Sequence, residues 1–240
     1  MAQNQINNQT KSKERTREHG EVFTNEREVN AMLDLVKSET ERIDSRFLEP
    51  ACGTGNFLIE ILNRKLAVVT AKYKKSQLEW ERYSIVAICS CYGVDIQEDN
   101  VLECRERLYD FFVSQYTTLY KKTLRQEILL VAQFVLSKNI VCGDALTMKA
   151  NNGHPIAFCE WSSVNGSKVK RKDFTLHNLL ETESYYSAVA ANAIENQFDM
   201  FSQLKDKGVE LITPKAIAEF PMIDFDLLHT MANEEATKNG

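Results

Sequence analysis

The run RFLEPACGTGNFLIEIL, residues 46–62, limits the fold more than any other stretch of the chain. A short apolar segment ends in Glu49, small residues and two close glycines follow, and a second apolar segment begins at once. This order reads as a buried strand around Arg46, Phe47 and Leu48, a tight turn through Gly53 and Gly55, and a helix starting near Gly55. Phe57, Leu58, Ile61 and Leu62 would form that helix's apolar face. Glycine tolerates positive φ and leaves space where a side chain would stand, so the turn brings backbone close to a ligand. N–H groups at the start of a helix can also meet a negative group. A plain strand-to-helix turn carries the same signature, so the rest of the chain has to discriminate.

Two further strand signals end in acids. CYGVDI, 91–96, places Asp95 at a strand's carboxyl end, and NIVCGDAL, 139–146, does the same for Asp144. Helical patterns lie around them. One covers about 25–38, capped by Thr24, with Val29, Met32, Leu33 and Val36 inward. Another continues over 64–90, with Leu66, Val69 and Tyr73 inside and Lys72, Lys74 and Lys75 outside. A third covers 98–137 with a break near Ser114–Thr118. Short apolar strands alternating with helices predict an α/β fold with a mostly parallel sheet. Such sheets bind ligands outside the carboxyl ends of their strands. Glu49, Asp95 and Asp144 should therefore converge on one crevice.

Three regions differ in character. Residues 1–18 read as a flexible polar arm, 19–150 as the core, and 151–240 as a divergent part packed on it. In the last, residues 154–176 alternate apolar and polar around Asn165-Gly166, a strong hairpin signal. Residues 183–206 are Ala-rich and read as helix, and 220–230 as a final strand. The basic cluster Lys168, Lys170, Arg171 and Lys172 faces Trp161 across the hairpin. It is either a solvated strand face or a contact for phosphate or an acidic partner.

Composition closes several classes. The chain of 240 residues is 43% apolar and 26% charged, ordinary for a globular protein. No apolar run reaches the ~18 residues of a membrane span, and the polar N-terminus lacks a signal peptide's apolar core, so the expectation is a cytoplasmic protein with no membrane partner. Its formal net charge is −5, so any DNA contact needs a local basic patch or a partner. Six cysteines without a C-x-x-C pair indicate neither a zinc site nor a disulfide framework. Cys89 and Cys91 read as buried thiols.

With the motifs in view, a family resemblance emerges. E-P-A-C-G-T-G at 49–55 resembles the cofactor motif of the amino-group DNA methyltransferases, specifically the adenine-N6 enzymes of restriction–modification systems, which use S-adenosylmethionine (AdoMet). HGEVFTNEREVNAMLDLV, 19–36, is similar to that family's N-terminal G-x-x-F/Y-T-P motif, with Asn25 in place of proline. YGVDIQEDNVLECRERL resembles the second motif and NIVCGDAL the third. The resemblance covers residues 19–146 and implies a Rossmann-like methyltransferase fold with an incomplete or altered C-terminal half and an added hairpin. It implies AdoMet contacts from Phe23, Thr24, Glu49, Pro50, Ala51, Cys52, Gly53, Gly55, Asp95, Ile96, Asp144 and Ala145. Chemistry fits these positions. Glu49 would neutralise the cationic methionine end, Asp95 accept from the ribose hydroxyls, and Ile96 pack on adenine. Asp144 would accept from the adenine amino group, and Phe23 and Thr24 close over the methionine moiety.

One motif of that family has no counterpart. Its catalytic [D/N/S]-P-P-[Y/F] sequence holds the flipped adenine, yet Pro50, Pro155, Pro214 and Pro221 are each isolated. Phe225-Asp226-Leu227-Leu228 is similar to the run that leads into the motif but continues as His229-Thr230-Met231-Ala232-Asn233. FCEWSSV, 158–164, is a weaker counterpart. Catalytic residues are therefore unassigned. Three readings stand: a DNA adenine methyltransferase or one subunit of a split enzyme, from a restriction–modification or phage-related system; a catalytically inactive AdoMet-binding regulatory subunit; or a methyltransferase acting on something other than DNA. Expected partners are DNA, directly or through another subunit, and a homo- or hetero-oligomeric assembly, because the first strand would leave an apolar edge to cover.

Overall fold

The computed structural model describes residues 24–164, 166–180 and 214–232. Strands β1 (Phe47–Glu49), β2 (Cys91–Asp95) and β3 (Ile140–Asp144) pair in parallel in that order. A two-residue strand β4 (Lys149–Ala150) runs antiparallel to β3. Six helices connect and flank this sheet: α1 (Glu26–Asp34), α2 (Lys37–Thr40), α3 (Asn56–Tyr73), α4 (Gln77–Cys89), α5 (Glu98–Tyr120) and α6 (Gln126–Asn139). The described chain is thus a mixed α/β structure with a mostly parallel sheet. No helix among the described residues is long and apolar enough to cross a membrane.

Alternation along β2 divides the interior into two layers, as strand geometry requires. Cys91 joins the helix-side core with Leu58, Leu62, Leu66, Trp80, Phe112 and Val135. Tyr92 and Val94 point the other way and pack with Ile156, Phe158 and Leu176. That second face is covered by the predicted hairpin, β5 (Ala157–Val164) and β6 (Lys168–Thr175), in antiparallel register from Ala157↔Thr175 to Val164↔Lys168. Asn165 lies outside the described residues, and Gly166 has φ +73°. Tyr92 Oη donates to the Cys159 carbonyl at 2.8 Å, and Trp161 Nε1 donates to Asn139 Oδ1 at 2.9 Å. These two bonds fasten the hairpin to the sheet and to α6.

Several local expectations are corrected. Asn25, not Thr24, caps α1; its Oδ1 accepts from Glu28 N at 3.0 Å. Met32 and Val36 are exposed rather than inward. The helix expected over 64–90 is two helices, because Ser76 ends the turn after Tyr73 and its side chain caps α4. No break occurs near Ser114–Thr118. There Thr118 Oγ1 donates back to the Ser114 carbonyl at 2.8 Å, and Tyr116 stacks on Trp80 with ring centres 5.4 Å apart, so α5 runs unbroken. The interruption falls instead between Tyr120 and Gln126. Leu48, read as buried, is 41% exposed because only β2 pairs with β1 among the described strands.

The final strand expected over 220–230 is mostly something else. β7 (Ala218–Glu219) and β8 (Ile223–Asp224) each pair with β6, and Phe225–Thr230 then forms a 3₁₀ helix. Leu228 packs with the core, and Arg125 bridges Glu81 of α4 and Asp226 of this helix at 3.1 and 2.6 Å. The arm 1–18 and the helix expected over 183–206 lie outside the described residues. Cys89 and Cys91 are buried thiols as expected.

Candidate functional site

The carboxyl ends of the three parallel strands open into one crevice of about 570 Å³. Its walls come from Thr24, the loop from Glu49 to Gly53, the β2 end at Asp95–Gln97, and the β3 end at Gly143–Leu146, with Asn56, Phe57 and Asn100 behind. The three strand-end acids do meet there. Glu49 is level with Gly93 and Asp95 with Cys142, so each acid stands two residues beyond the one before it along the stepped carboxyl edge of the sheet, the edge at which parallel sheets bind ligands. Phe23 lies outside the described residues.

The glycine loop folds over β2. Cys52 N donates to the Val94 carbonyl at 2.8 Å and Gly55 N to the Cys52 carbonyl at 2.8 Å. Gly53 takes φ +51° and Gly55 φ +89°, a region that strains residues carrying a Cβ. Gly93 makes the crossing possible in a different way: a Cβ there would stand 2.9 Å from Cys52 Sγ. Gly55 is set apart from the other sequence-predicted residues. It does not line the crevice, and a Cβ on it would meet Cys104 Sγ at 2.6 Å. Its smallness serves the contact between the loop and α5.

Asp95 acts on the loop first. Its Oδ2 accepts from Gly53 N at 2.9 Å, while Oδ1 accepts from Gln97 N at 2.9 Å and Asn100 Nδ2 at 3.2 Å. The carboxylate thus ties the end of β2 to the glycine turn and to the start of α5. The loop N–H groups of Cys52, Gly53 and Gly55 are all engaged within the protein. Asp144 organises its own turn, accepting from Leu146 N at 2.8 Å and Thr147 Oγ1 at 3.0 Å, and these bonds hold its carboxyl below the usual range.

Glu49 is the least satisfied acid. Burial pushes its pKa up, opposed by a long hydrogen bond of 3.4 Å from Ala51 N. Among the described residues no lysine or arginine pairs with it, and none lines the crevice. Cys52 is no nucleophile: a hydrogen bond with the Cys104 thiol and burial both drive its pKa far up, and thiols react as thiolates. Among the described residues no group of His, Cys, Asp and Glu could hold a metal ion.

Sequence reasoning missed Asn56, Gln97 and Asn100 as wall residues. Asn56 directly follows the glycine motif and Asn100 is the third residue of α5, just beyond the strand that Asp95 ends, so their positions were the available signal. The hairpin counterpart to the catalytic motif lies elsewhere. Glu160 is paired to Arg46 at 2.7 Å, Trp161 is held by Asn139, and Trp161 and Ser162 line a separate hollow of about 280 Å³. The basic cluster is compensated internally. Lys170 and Lys172 pair with Glu219 at 2.9 and 3.0 Å, and Lys168 with Asp224 at 3.5 Å. Arg171 is 2% exposed, bonded to both Asp173 oxygens and stacked 4.2 Å from the Phe220 ring centre. Comparison with family models, with curated proteins and with solved structures gave no match.

Proposed function

We propose that the crevice binds S-adenosylmethionine and that the chain is the cofactor-binding part of an adenine-N6 DNA methyltransferase of restriction–modification or phage-related type, with a Rossmann-like methyltransferase fold. The observation that carries this reading is the meeting of the E-P-A-C-G-T-G loop, with its Glu49, and the carboxylates of Asp95 and Asp144 in a crevice whose walls, among the described residues, hold no lysine or arginine. A glycine loop after a strand often cradles phosphate. Here the N–H groups of Cys52, Gly53 and Gly55 are engaged and the charged side chains of the described wall are acidic, so a nucleotide phosphate would be repelled and a cationic nucleoside favoured. Glu49, half-buried without a cationic partner, suits the amino group and sulfonium of AdoMet. Asp95 keeps lone-pair capacity beyond its loop bonds for ribose hydroxyls. Ile96 offers an exposed apolar side chain for adenine, and Asp144 and Ala145 lie at the same end. When bound, AdoMet supplies an activated methyl group.

The methyl acceptor is not accounted for by these residues. A flipped base needs stacking and edge contacts, and no Pro-Pro motif occurs in the sequence. The chain is therefore read as one subunit of a split enzyme, with DNA and the acceptor site engaged through a partner. A regulatory AdoMet-binding subunit is the second reading, favoured by the internal pairing of the basic cluster. Calorimetry with AdoMet and S-adenosylhomocysteine tests the site; no heat and no thermal shift at millimolar ligand refutes it. A radiolabel transfer assay on mixed-sequence duplex DNA tests the rest. The expected result is no turnover by the chain alone, because AdoMet without an oriented acceptor lacks a large part of the rate. Robust turnover by the single chain would overturn the split-enzyme reading.

A further inference from the structure

Three segments distant in sequence meet at one side-chain amide beside the crevice. Asn56, the first residue of α3, donates from Nδ2 to the Thr24 carbonyl at 2.9 Å. Its Oδ1 accepts from Arg107 Nη1 of α5 at 3.0 Å. The same guanidinium nitrogen donates to the Thr54 carbonyl at 2.6 Å and to Thr54 Oγ1 at 2.8 Å. An arginine has no acceptor, so its position forces the amide oxygen toward α5 and the amide nitrogen toward Thr24. Thr24 and Asn56 line the crevice, whereas Arg107 does not.

We infer that Asn56 and Arg107 are positioning residues for the crevice: Arg107 orients the Asn56 amide, and the amide holds the Thr24 carbonyl at the crevice wall. The inference rests on the AdoMet reading for its ligand, but the relay itself does not. Among the described residues Thr24 makes no other hydrogen bond to α3, and α1 beyond it is held to α3 by Arg64, which bonds Asn30 and Asp34. The glycine loop is anchored through Asp95 and Val94 and, at Thr54, through Arg107. Losing the Asn56 amide should therefore loosen the Thr24 wall while leaving the loop in place, whereas losing Arg107 also releases Thr54.

The test uses the full chain as wild type, Asn56→Ala, Arg107→Met and the double variant, with S-adenosylhomocysteine as the calorimetric probe. Each single variant should weaken binding about five- to tenfold, the scale of one hydrogen bond. The double variant should bind no more weakly than the weaker single variant, because both act through the same contact. Hydrogen exchange provides a second readout without ligand: the amides of the first turn of α1 should exchange faster in both single variants, and those of 49–55 should stay unchanged in Asn56→Ala, whereas Arg107→Met also removes the bonds to Thr54. Asn56→Ser replaces Asn56→Ala if the latter fails to fold. Unchanged exchange at the start of α1, or losses of affinity that multiply in the double variant, overturns the relay. Wild-type protein that shows no heat with the probe overturns the AdoMet reading instead, and exchange then decides the relay alone.

Discussion

Replacing Gly55 by alanine separates the architectural part of the glycine motif from its ligand-binding part. Gly55 has φ +89°, and placing an L side chain in left-handed backbone costs about 1–2 kcal/mol. The new Cβ would also stand 2.6 Å from Cys104 Sγ. Cys104 is fully buried, so relief requires movement of α5 or of the loop, at about 1–3 kcal/mol for an overpacked core. Together these give a loss of about 2–5 kcal/mol. For a chain of this size each kcal/mol moves Tm by roughly 2–4 °C, so the Tm without ligand should fall by about 4–20 °C. Cys104→Ala removes the obstructing sulfur, so in the double variant the two losses should sum to less than their separate values by about 1 kcal/mol or more. Denaturant or thermal unfolding of the four proteins measures this cycle. A Gly55→Ala protein within about 0.5 kcal/mol of the parent, or strictly additive losses, would refute the steric argument and return Gly55 to the ligand.

Two further outcomes follow from buried charge. Burial raises the Glu49 pKa in the folded chain, so the folded state holds its proton more tightly than the unfolded state. Ligand-free stability should then fall as pH rises from the ordinary carboxylate range through the raised pKa, while affinity for a cationic ligand rises over the same window; Glu49→Gln should flatten both profiles, read by Tm and calorimetry across pH. Arg171→Leu leaves the largely buried Asp173 without its bidentate partner and should cost about 3–5 kcal/mol in unfolding experiments. Lys170→Ala with Lys172→Ala should leave retention on duplex DNA unchanged, since both lysines already face Glu219.

What the sequence made legible was whatever short-range pattern determines. Glu49, Asp95 and Asp144 each end an apolar strand, and parallel pairing then obliges them to converge. The hairpin was equally legible, because alternation around Asn165-Gly166 fixes register. Misread features depend on partners far away in the chain. Tyr116 of α5 stacks on Trp80 of α4, and no local pattern announces that contact. Lys65 is fully buried, donating to the carbonyls of Ile43 and Ser45 and to Ser90 Oγ, and burial pushes its pKa down. On the helix pattern alone it looks like any surface lysine. The basic cluster looked available because its counter-ions, Glu219 and Asp224, lie about fifty residues on.

The edge of β1 connects the crevice to the missing acceptor. Phe47 N donates to the Ser90 carbonyl at 2.9 Å in the parallel pairing with β2. Backbone groups alternate in direction along a strand, so the N–H and carbonyl of Leu48 point away from β2, and no described strand meets them. At the carboxyl end of that edge stand Glu49 and Pro50, which are crevice walls. In open parallel sheets the ligand crevice forms where strand order reverses, between strands that run outward on opposite sides of a central one. Here β2 and β3 lie on one side of β1, and no described strand lies on the other. Among the described residues the crevice is walled on the β2 and β3 side of β1 only. An acceptor presented beyond β1 would reach the crevice past Glu49 without crossing β2 or β3. On the split-enzyme proposal, that side is where a partner subunit would present its acceptor.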